Sequence, residues 1–584
     1  MPENPFTFEI LAEYSALFDG EIPELHALLT GISRTKLLQI AAFFLGFYNR
    51  KSVLGSPYEL LSKFRPENNE FVNDLWKRIQ ALQNSSERKV RLINPQTALQ
   101  LFEYAYDHLD DTETQTNVEI EVNIIKAVLV QNEINTRKQE QSGPTTEHIT
   151  SLLRYPLWNL TQSFAYSELI NYSITELWAC QLIKSVSLFQ FLASQEGMQP
   201  LLQAFLNYYH VTDWETYLKK VIPLTLSALK NQREAHTDIV VQQDEQLADN
   251  LAFLEKLIVK DEEALSDIDF RKTRSKPFLR VDELTYRIIF NPFVIETLYK
   301  GLYFKLYEIN ATLPGDVQFK NLRSLYTDAF SERWLLYRIR DNFFPEDNVK
   351  FTGSQIKDSG INAEPDYYAR KNEDMYLFES KDILINAAVK EQYDFSLLEA
   401  EFKKKLYFED KGGRRSNKAV LQLMGNIERA LTMQFPFDTS YKPQAIKIYP
   451  VLVLHDHSFR VPGLNHLVNS WFIVELDKLA VKGFPTRRVR NLTIIDIDTL
   501  IYRQDIFREE TFNLGEMISE YHQYVLLPRR LNETDNRTAG QIMNNKSIAF
   551  DTWLAGRLDK TDLNKPPGML DAMTKIIFNS RNTI

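Results

Sequence analysis

Three charged residues, Asp366, Glu379 and Lys381, stand where their types and spacing can do chemistry. They belong to two short runs, Pro365-Asp366-Tyr367-Tyr368-Ala369-Arg370 and Met375-Tyr376-Leu377-Phe378-Glu379-Ser380-Lys381-Asp382-Ile383-Leu384, separated by the polar break Lys371-Asn372-Glu373-Asp374. Read as a hairpin with Asn372-Glu373 as a two-residue loop, Lys371 pairs with Asp374 and Asp366 falls opposite Glu379. Directly opposed side chains have Cβ atoms about 4.5–5.5 Å apart. Two carboxylates that close repel unless a cation sits between them. Lys381 follows Glu379 by two residues and shares its face. Both faces of the second run begin apolar, the pattern of a central strand covered on both sides. Glu379 and Lys381 therefore interrupt an apolar face, where charge is costly without a partner or metal. Two carboxylates and a lysine in one half-buried place suit a hard cation bound through oxygen.

The elements around this hairpin follow from patterning. Helical spacing covers about 321–343, including Phe330-Ser331-Glu332, and a first strand is expected near 349–352. The two motif strands come next. Ser396-Leu397-Leu398-Glu399 has the form of a capping box opening a helix toward Tyr407. A helix is expected over 417–433, and apolar strands over 445–454 and 492–498. The order is helix, three strands, helix, strand. Upstream, residues 1–265 read as helical, with Asn94-Pro95 as cap and first turn of a helix. A possible sub-boundary lies in the polar stretch 135–147. A hairpin and helix over 266–315, broken at Asp282-Glu283 and reopened by Asn291-Pro292, connect to a domain over 316–510. A helical extension over 511–584 completes the chain.

Pro365-Asp366 and Glu379-x-Lys381, in this order of elements, resemble the PD-(D/E)XK nuclease superfamily over roughly 320–505. The resemblance implies an α+β fold, a mostly α-helical N-terminal region followed by a restriction-endonuclease-like αβββαβ core with a central mixed sheet. It implies Mg²⁺ (or Mn²⁺) held by Asp366 and Glu379, with the Ser380 carbonyl as a further ligand. It implies hydrolysis of phosphodiester bonds, with Lys381 positioning or activating the attacking water and offsetting phosphate charge. An acidic residue on the first core helix often completes such a site; Glu332 is the candidate, with Asp328 one turn earlier as the alternative. Gln422 opens Gln422-Leu423-Met424-Gly425-Asn426, a partial match to the Q-x-x-x-Y motif of RecB-like relatives, with Asn426 at the tyrosine position. DNA is the expected polymer over RNA. The architecture is similar to bacterial defence or DNA-processing nucleases, with the helical N-terminal half sensing, gating, forming a homo-oligomer or meeting a partner protein. The contrasting expectation is a non-catalytic nucleic-acid-binding or scaffolding protein with a degenerate core.

Composition narrows the remaining classes. The 584 residues are 44% hydrophobic and 25% charged, ordinary for a globular protein of several domains. A single cysteine, Cys180, excludes an intrachain disulfide framework and a cysteine zinc site and is expected in a core. Net charge is −10, so any nucleic-acid surface is local. Candidates are Lys403 to Lys418, then Arg487, Arg488 and Arg490, then Arg271, Lys272, Arg274 and Lys276. The N-terminus lacks a signal-peptide pattern, and the apolar run 41–48 is far short of the ~20 residues of a membrane span. A cytoplasmic location without membrane contact is expected. His455-Asp456-His457 at a strand end is a weaker metal candidate, with His466 the nearest further histidine. No G-x-x-x-x-G-K-[ST] loop or G-x-S-x-G elbow is present.

Overall fold

A computed structural model describes residues 9–47, 56–86, 88–140, 152–230, 236–259, 269–344, 349–509, 512–527, 542–559 and 565–579. The chain is α+β and divides into two compact units, neither continuous in sequence. One comprises 1–141, 199–318 and 577–584; the other comprises 142–198 and 319–576. No helix among the described residues is long and apolar enough to cross a membrane.

The first unit is mainly helical. Asn94 caps the helix Pro95–His108 by accepting from the Thr97 N–H. The expected hairpin is present: Phe278–Arg280 pairs antiparallel with Thr285–Ile288, which also pairs with Asp238–Val240. Two expectations need correction. Residues 9–11 form a strand (Glu9–Leu11) parallel to Lys89–Arg91 within the region read as helical, followed by a single helical turn, Tyr14–Leu17. The helix Asn117–Glu140 runs through the first half of the polar stretch read as a linker. The other half, 141–147, lies outside the described residues.

The second unit is built on five strands: β1 (Val349–Thr352), β2 (Tyr367–Lys371), β3 (Asp374–Lys381), β4 (Lys447–Leu454) and β5 (Thr493–Asp496), in the order β5-β4-β3-β2-β1. β1, β2 and β3 are antiparallel neighbours; β4 runs parallel to both β3 and β5. The sheet is therefore mixed, with the motif strand at its centre. Asn372, at φ 53°, takes the left-handed conformation that closes the two-residue loop. Pairing runs from Lys371↔Asp374 to Tyr367↔Phe378.

Both faces of β3 are covered. Met375 and Leu377 join a core with Leu423, Ile427, Leu452 and Leu454, contributed partly by the helix Ala419–Leu431. On the other face, Tyr376 and Phe378 meet Phe344, and the Arg340 guanidinium lies 4.1 Å from the Tyr367 ring centre and 4.2 Å from that of Phe378. Arg340 belongs to a helical run, Leu322–Leu325, Tyr326–Leu336 and Tyr337–Phe343, whose middle part winds as a π-helix.

The expected break at 315 falls close to the change of unit after 318, but no unit boundary lies at 265 or 510, and 142–198 belongs with the sheet unit. The helix Ile174–Ser194 packs on Tyr326–Leu336 and on Ile497–Phe507 in the sheet unit. It is apolar nearly all round and must be covered on all sides. Its pattern announces burial but not the partner. Cys180 is buried there and donates to the Asp498 carbonyl at 3.4 Å. Likewise Leu514–Tyr524 packs against Phe550–Leu558, and the latter against β5, so the C-terminal extension is part of the sheet unit up to 576.

The connection from β3 to β4 also differs from expectation. Asp394, not Ser396, caps the helix Phe395–Phe402, accepting from the Leu397 N–H. A hairpin, Phe408–Lys411 with Arg414–Asn417, stands where only a basic segment was read. Its loop is Gly412-Gly413, both left-handed at φ 58° and 82°, as a two-residue I′ turn requires.

Candidate active site

The site begins at the C-terminal end of β3. Every strand pair between β2 and β3 obeys one register, and continuing it sets Asp366 opposite Glu379 and Pro365 opposite Ser380. Glu379 is fully buried. Its Oε1 accepts from Lys381 Nζ at 2.5 Å, while its Oε2 is buried without a hydrogen-bond partner. Lys381 Nζ also lies 3.8 Å from Asp366 Oδ2, bridging the two carboxylates as a cation between them should. Asp366 Oδ2 accepts from the Ser380 N–H at 2.6 Å. The Asp366 carbonyl accepts from the Gly353 N–H at 2.9 Å, where the chain turns from β1 into the helix Gly353–Asp358. A Cβ on Gly353 would meet the Tyr337 hydroxyl at 3.0 Å and the Asp366 carbonyl at 3.2 Å, so glycine permits this close approach. Pro365 has no N–H to donate across the ladder to Ser380, which leaves that carbonyl without its regular strand donor.

Glu332 reaches this group from the π-helical stretch. Tyr337 follows it by five residues, the spacing of π winding, and donates its hydroxyl to Glu332 Oε1 at 3.2 Å. The stretch is tied to the end of β3 by Asp382, which accepts from Ser331 Oγ at 2.7 Å and from Arg323 at 2.7 Å. Asp328 is exposed and accepts from Ser324 and Thr327 on its own helix. Of the two acidic candidates, Glu332 is the one in electrostatic reach of Asp366 and Lys381.

The charges are strongly coupled. Burial, then the neighbouring Asp366 charge, pushes Glu379 up to about 8, against the pull of Lys381. Burial and Asp366 push Glu332 up to about 7, opposed by Lys381 and the Tyr337 hydroxyl. Burial alone would lower Lys381, but Glu379 and Asp366 outweigh it and hold the ammonium protonated. Near neutral pH the group holds more acid than one ammonium can balance.

Gln422 sits in the first turn of Ala419–Leu431, which packs on β3. A helix linking parallel strands runs back antiparallel to them, so its first turn lies at the end of the sheet where β3 finishes. Gln422 Oε1 is buried without a hydrogen-bond partner, and no hydrogen bond joins it to Asp366, Glu379 or Lys381 among the described residues. The His-x-His pair does not converge. His455 Nε2 meets Ser380 Oγ at 2.7 Å on the far side of β3, and burial lowers it to about 4. Asp456 caps the turn His457–Phe459, and His466 meets the Val525 carbonyl. Of the other basic clusters, Arg274 pairs with Glu296 at 2.7 Å and Arg488 with Glu373 at 3.5 Å.

The donor set can be weighed against a hard divalent cation. Among the described residues, no three His, Cys, Asp or Glu side chains group as a ready-made cage. Yet Glu379 Oε2 is an orphaned buried acceptor beside Asp366, all the donors are oxygens, and Ser380 offers a carbonyl. That chemistry fits Mg²⁺ or Mn²⁺, with Lys381 standing beside the carboxylates as the resident cation. Tyr337, Gly353 and Asp382 were not singled out from sequence, and His455 was read only as a metal candidate. Thr352-Gly353-Ser354-Gln355 carried a usable signal, a capping box formed by Thr352 and Gln355. The other two depend on π winding or on contacts between distant elements. Comparison with protein-family models, curated proteins and solved structures finds no match to this chain.

Proposed function

We propose that the chain is a metal-dependent nuclease of the PD-(D/E)XK type, hydrolysing phosphodiester bonds, in DNA before RNA. The sheet unit would be its restriction-endonuclease-like core. The observation that carries this reading is the pair Asp366 and Glu379, opposed at the end of the central strand and bridged by Lys381, with Glu379 Oε2 buried and unpartnered. Asp366, Glu379 and the Ser380 carbonyl would hold the ion, with Glu332 nearby. The ion held there would supply a water of lowered pKa and polarisation of the scissile phosphate. Lys381, kept protonated, offsets phosphate charge and orients the attacking water. Glu332, near 7, can take or release a proton in the working range. Tyr337 fixes its carboxyl, and Gly353 fixes the Asp366 backbone. Gln422 would touch substrate from the helix covering this face. A role in bacterial defence or DNA processing extends this reading by architecture alone.

The test is incubation of supercoiled and linear duplex DNA, single-stranded DNA and RNA with the full chain in Mg²⁺, Mn²⁺ or EDTA. Metal-dependent cleavage, reduced at least ~100-fold by Asp366→Ala or Lys381→Ala, is the expected result. Absence of cleavage on every substrate, or an Asp366→Ala protein that cuts as wild type, refutes it. The ion pair Lys381–Glu379 favours a second reading, a binding protein whose lysine replaces the metal; nucleic-acid binding unaffected by EDTA and by these variants, without cleavage, would establish that one.

A further inference from the structure

The basic hairpin Phe408–Lys411/Arg414–Asn417 is a structural element the catalytic group does not use. Among the described residues its two strands join no other strand and form a separate ribbon. The base is anchored. Tyr407 stacks on Trp471 at 5.6 Å and donates to Glu475, and the Lys418 N–H closes the ladder on the Tyr407 carbonyl at 3.0 Å. The tip is open: a Cβ on Gly412 or Gly413 would meet nothing within 4 Å. Arg414 through Asn417 are all exposed. Residues 403–418 carry seven Lys or Arg against Glu409 and Asp410, net +5 in a chain of −10. Part of that charge is spent internally, on Lys403–Glu399, Lys405–Glu401 and Lys418–Glu409. Arg415 lies over the Phe408 ring at 4.1 Å and folds back toward the Tyr407 hydroxyl and the Glu475 charge, which stiffens the ribbon. No acidic side chain pairs with Arg414 among the described residues. The ribbon runs directly into Ala419–Leu431, whose first turn lies at the end of the sheet where Lys381 stands.

We infer that this ribbon enters the major groove of duplex DNA and holds the duplex against the site. A two-stranded ribbon matches the width of the B-form major groove, whereas the deep, narrow groove of A-form RNA excludes it. Arg414, beside the turn, would contact phosphates or base edges from the tip. The inference rests on the nuclease reading for the identity of the polymer, and it adds the form of the substrate: B-form duplex.

Binding in EDTA, where cleavage cannot proceed, separates the two ideas. Fluorescence anisotropy is measured with a labelled DNA duplex, its single strand and the RNA duplex of the same sequence, at 50 and 200 mM salt. Arg414→Ala removes one charge contact and should lower the log–log salt slope by about 0.9. Over that fourfold change in salt, the variant should lose about 3.5-fold less DNA-duplex affinity than wild type. Arg414→Lys should keep most of the slope, which excludes misfolding as the cause. RNA duplex and single strand should bind more weakly and change little. Unchanged DNA-duplex binding in the alanine variant overturns the inference, as does an equal loss on all three polymers. Ribbon-dependent duplex binding by a protein that never cuts would leave the ribbon standing and remove the nuclease reading.

Discussion

Glu379→Gln is the most informative single perturbation of the site. The wild-type carboxyl is fully buried and raised from 4.5 to about 8 by burial and Asp366. In the unfolded chain the same group ionises near its ordinary value. Between these two values the native state binds more protons than the unfolded state, so stability falls as pH rises through that window. The penalty is small at pH 5 and nearly complete at pH 9. With a shift of this size the change across pH 5–9 is on the order of 4 kcal/mol, at 1.36 kcal/mol per unit. Glutamine has no such titration. Lys381 keeps a neutral amide oxygen as acceptor but loses the negative charge beside it, and the neighbouring carboxyls readjust, so about 4 kcal/mol is a ceiling. The assay is urea unfolding of both proteins side by side in EDTA at pH 5, 7 and 9, taking the difference between them so that the rest of the chain cancels. The Gln variant should gain on wild type by about 2–4 kcal/mol from pH 5 to pH 9. Parallel pH profiles would refute the account of Glu379 as a desolvated acid held beside Asp366. Adding Mg²⁺ at ~100 times its Kd should stabilise wild type by about 2.7 kcal/mol at pH 8 and the Gln variant far less.

Three further outcomes follow from neighbouring contacts. Gly353→Ala places a methyl 3.0 Å from the Tyr337 hydroxyl and 3.2 Å from the Asp366 carbonyl, and should cost about 1–3 kcal/mol while lowering kcat more than it raises KM; thermal unfolding and cleavage kinetics check both. Tyr337→Phe removes a donor that favours the charged form of Glu332, so the acidic limb of the cleavage pH profile should move up by about 0.5–1 unit. Lys184→Met strips the buried Asp498 of its ion pair at 2.6 Å and should destabilise the sheet unit by about 3–5 kcal/mol in urea, without altering the salt dependence of DNA binding.

The part of the site carried by one hairpin was legible because a two-residue loop leaves a single register. Asn372-Glu373 between two apolar runs placed Asp366 against Glu379 before any coordinates were needed. Both faces of β3 being apolar likewise announced a central strand. What sequence did not show depends on long-range partners or unusual backbone. Nothing in 152–198 says which unit will cover its apolar helix. Tyr337 joins Glu332 only through π winding, since in an α-helix five residues turn a side chain well away. His455 was read as a metal candidate, but its contact with Ser380 joins segments distant in sequence, and Asp382 reads as one more charge after Lys381. The ribbon was missed because Arg414 to Asn417 has no alternation to reveal a strand, although Gly412-Gly413 marked its turn.

The π stretch Tyr326–Leu336 carries a consequence for how this site could be gained or lost. A π turn holds more residues than an α turn, so its length stores a rotational offset along the helix. Deleting one residue between Glu332 and Tyr337 is absorbed by rewinding to α geometry, which leaves the pair at i, i+4 and still neighbours on one face. Rewinding to α with all the residues kept would instead set the two side chains about 140° apart. In both cases Asp366, Glu379 and Lys381 stay untouched on their strands. The pairing in relatives of such a chain would then depend on length and winding together, which a substitution scan would pass over.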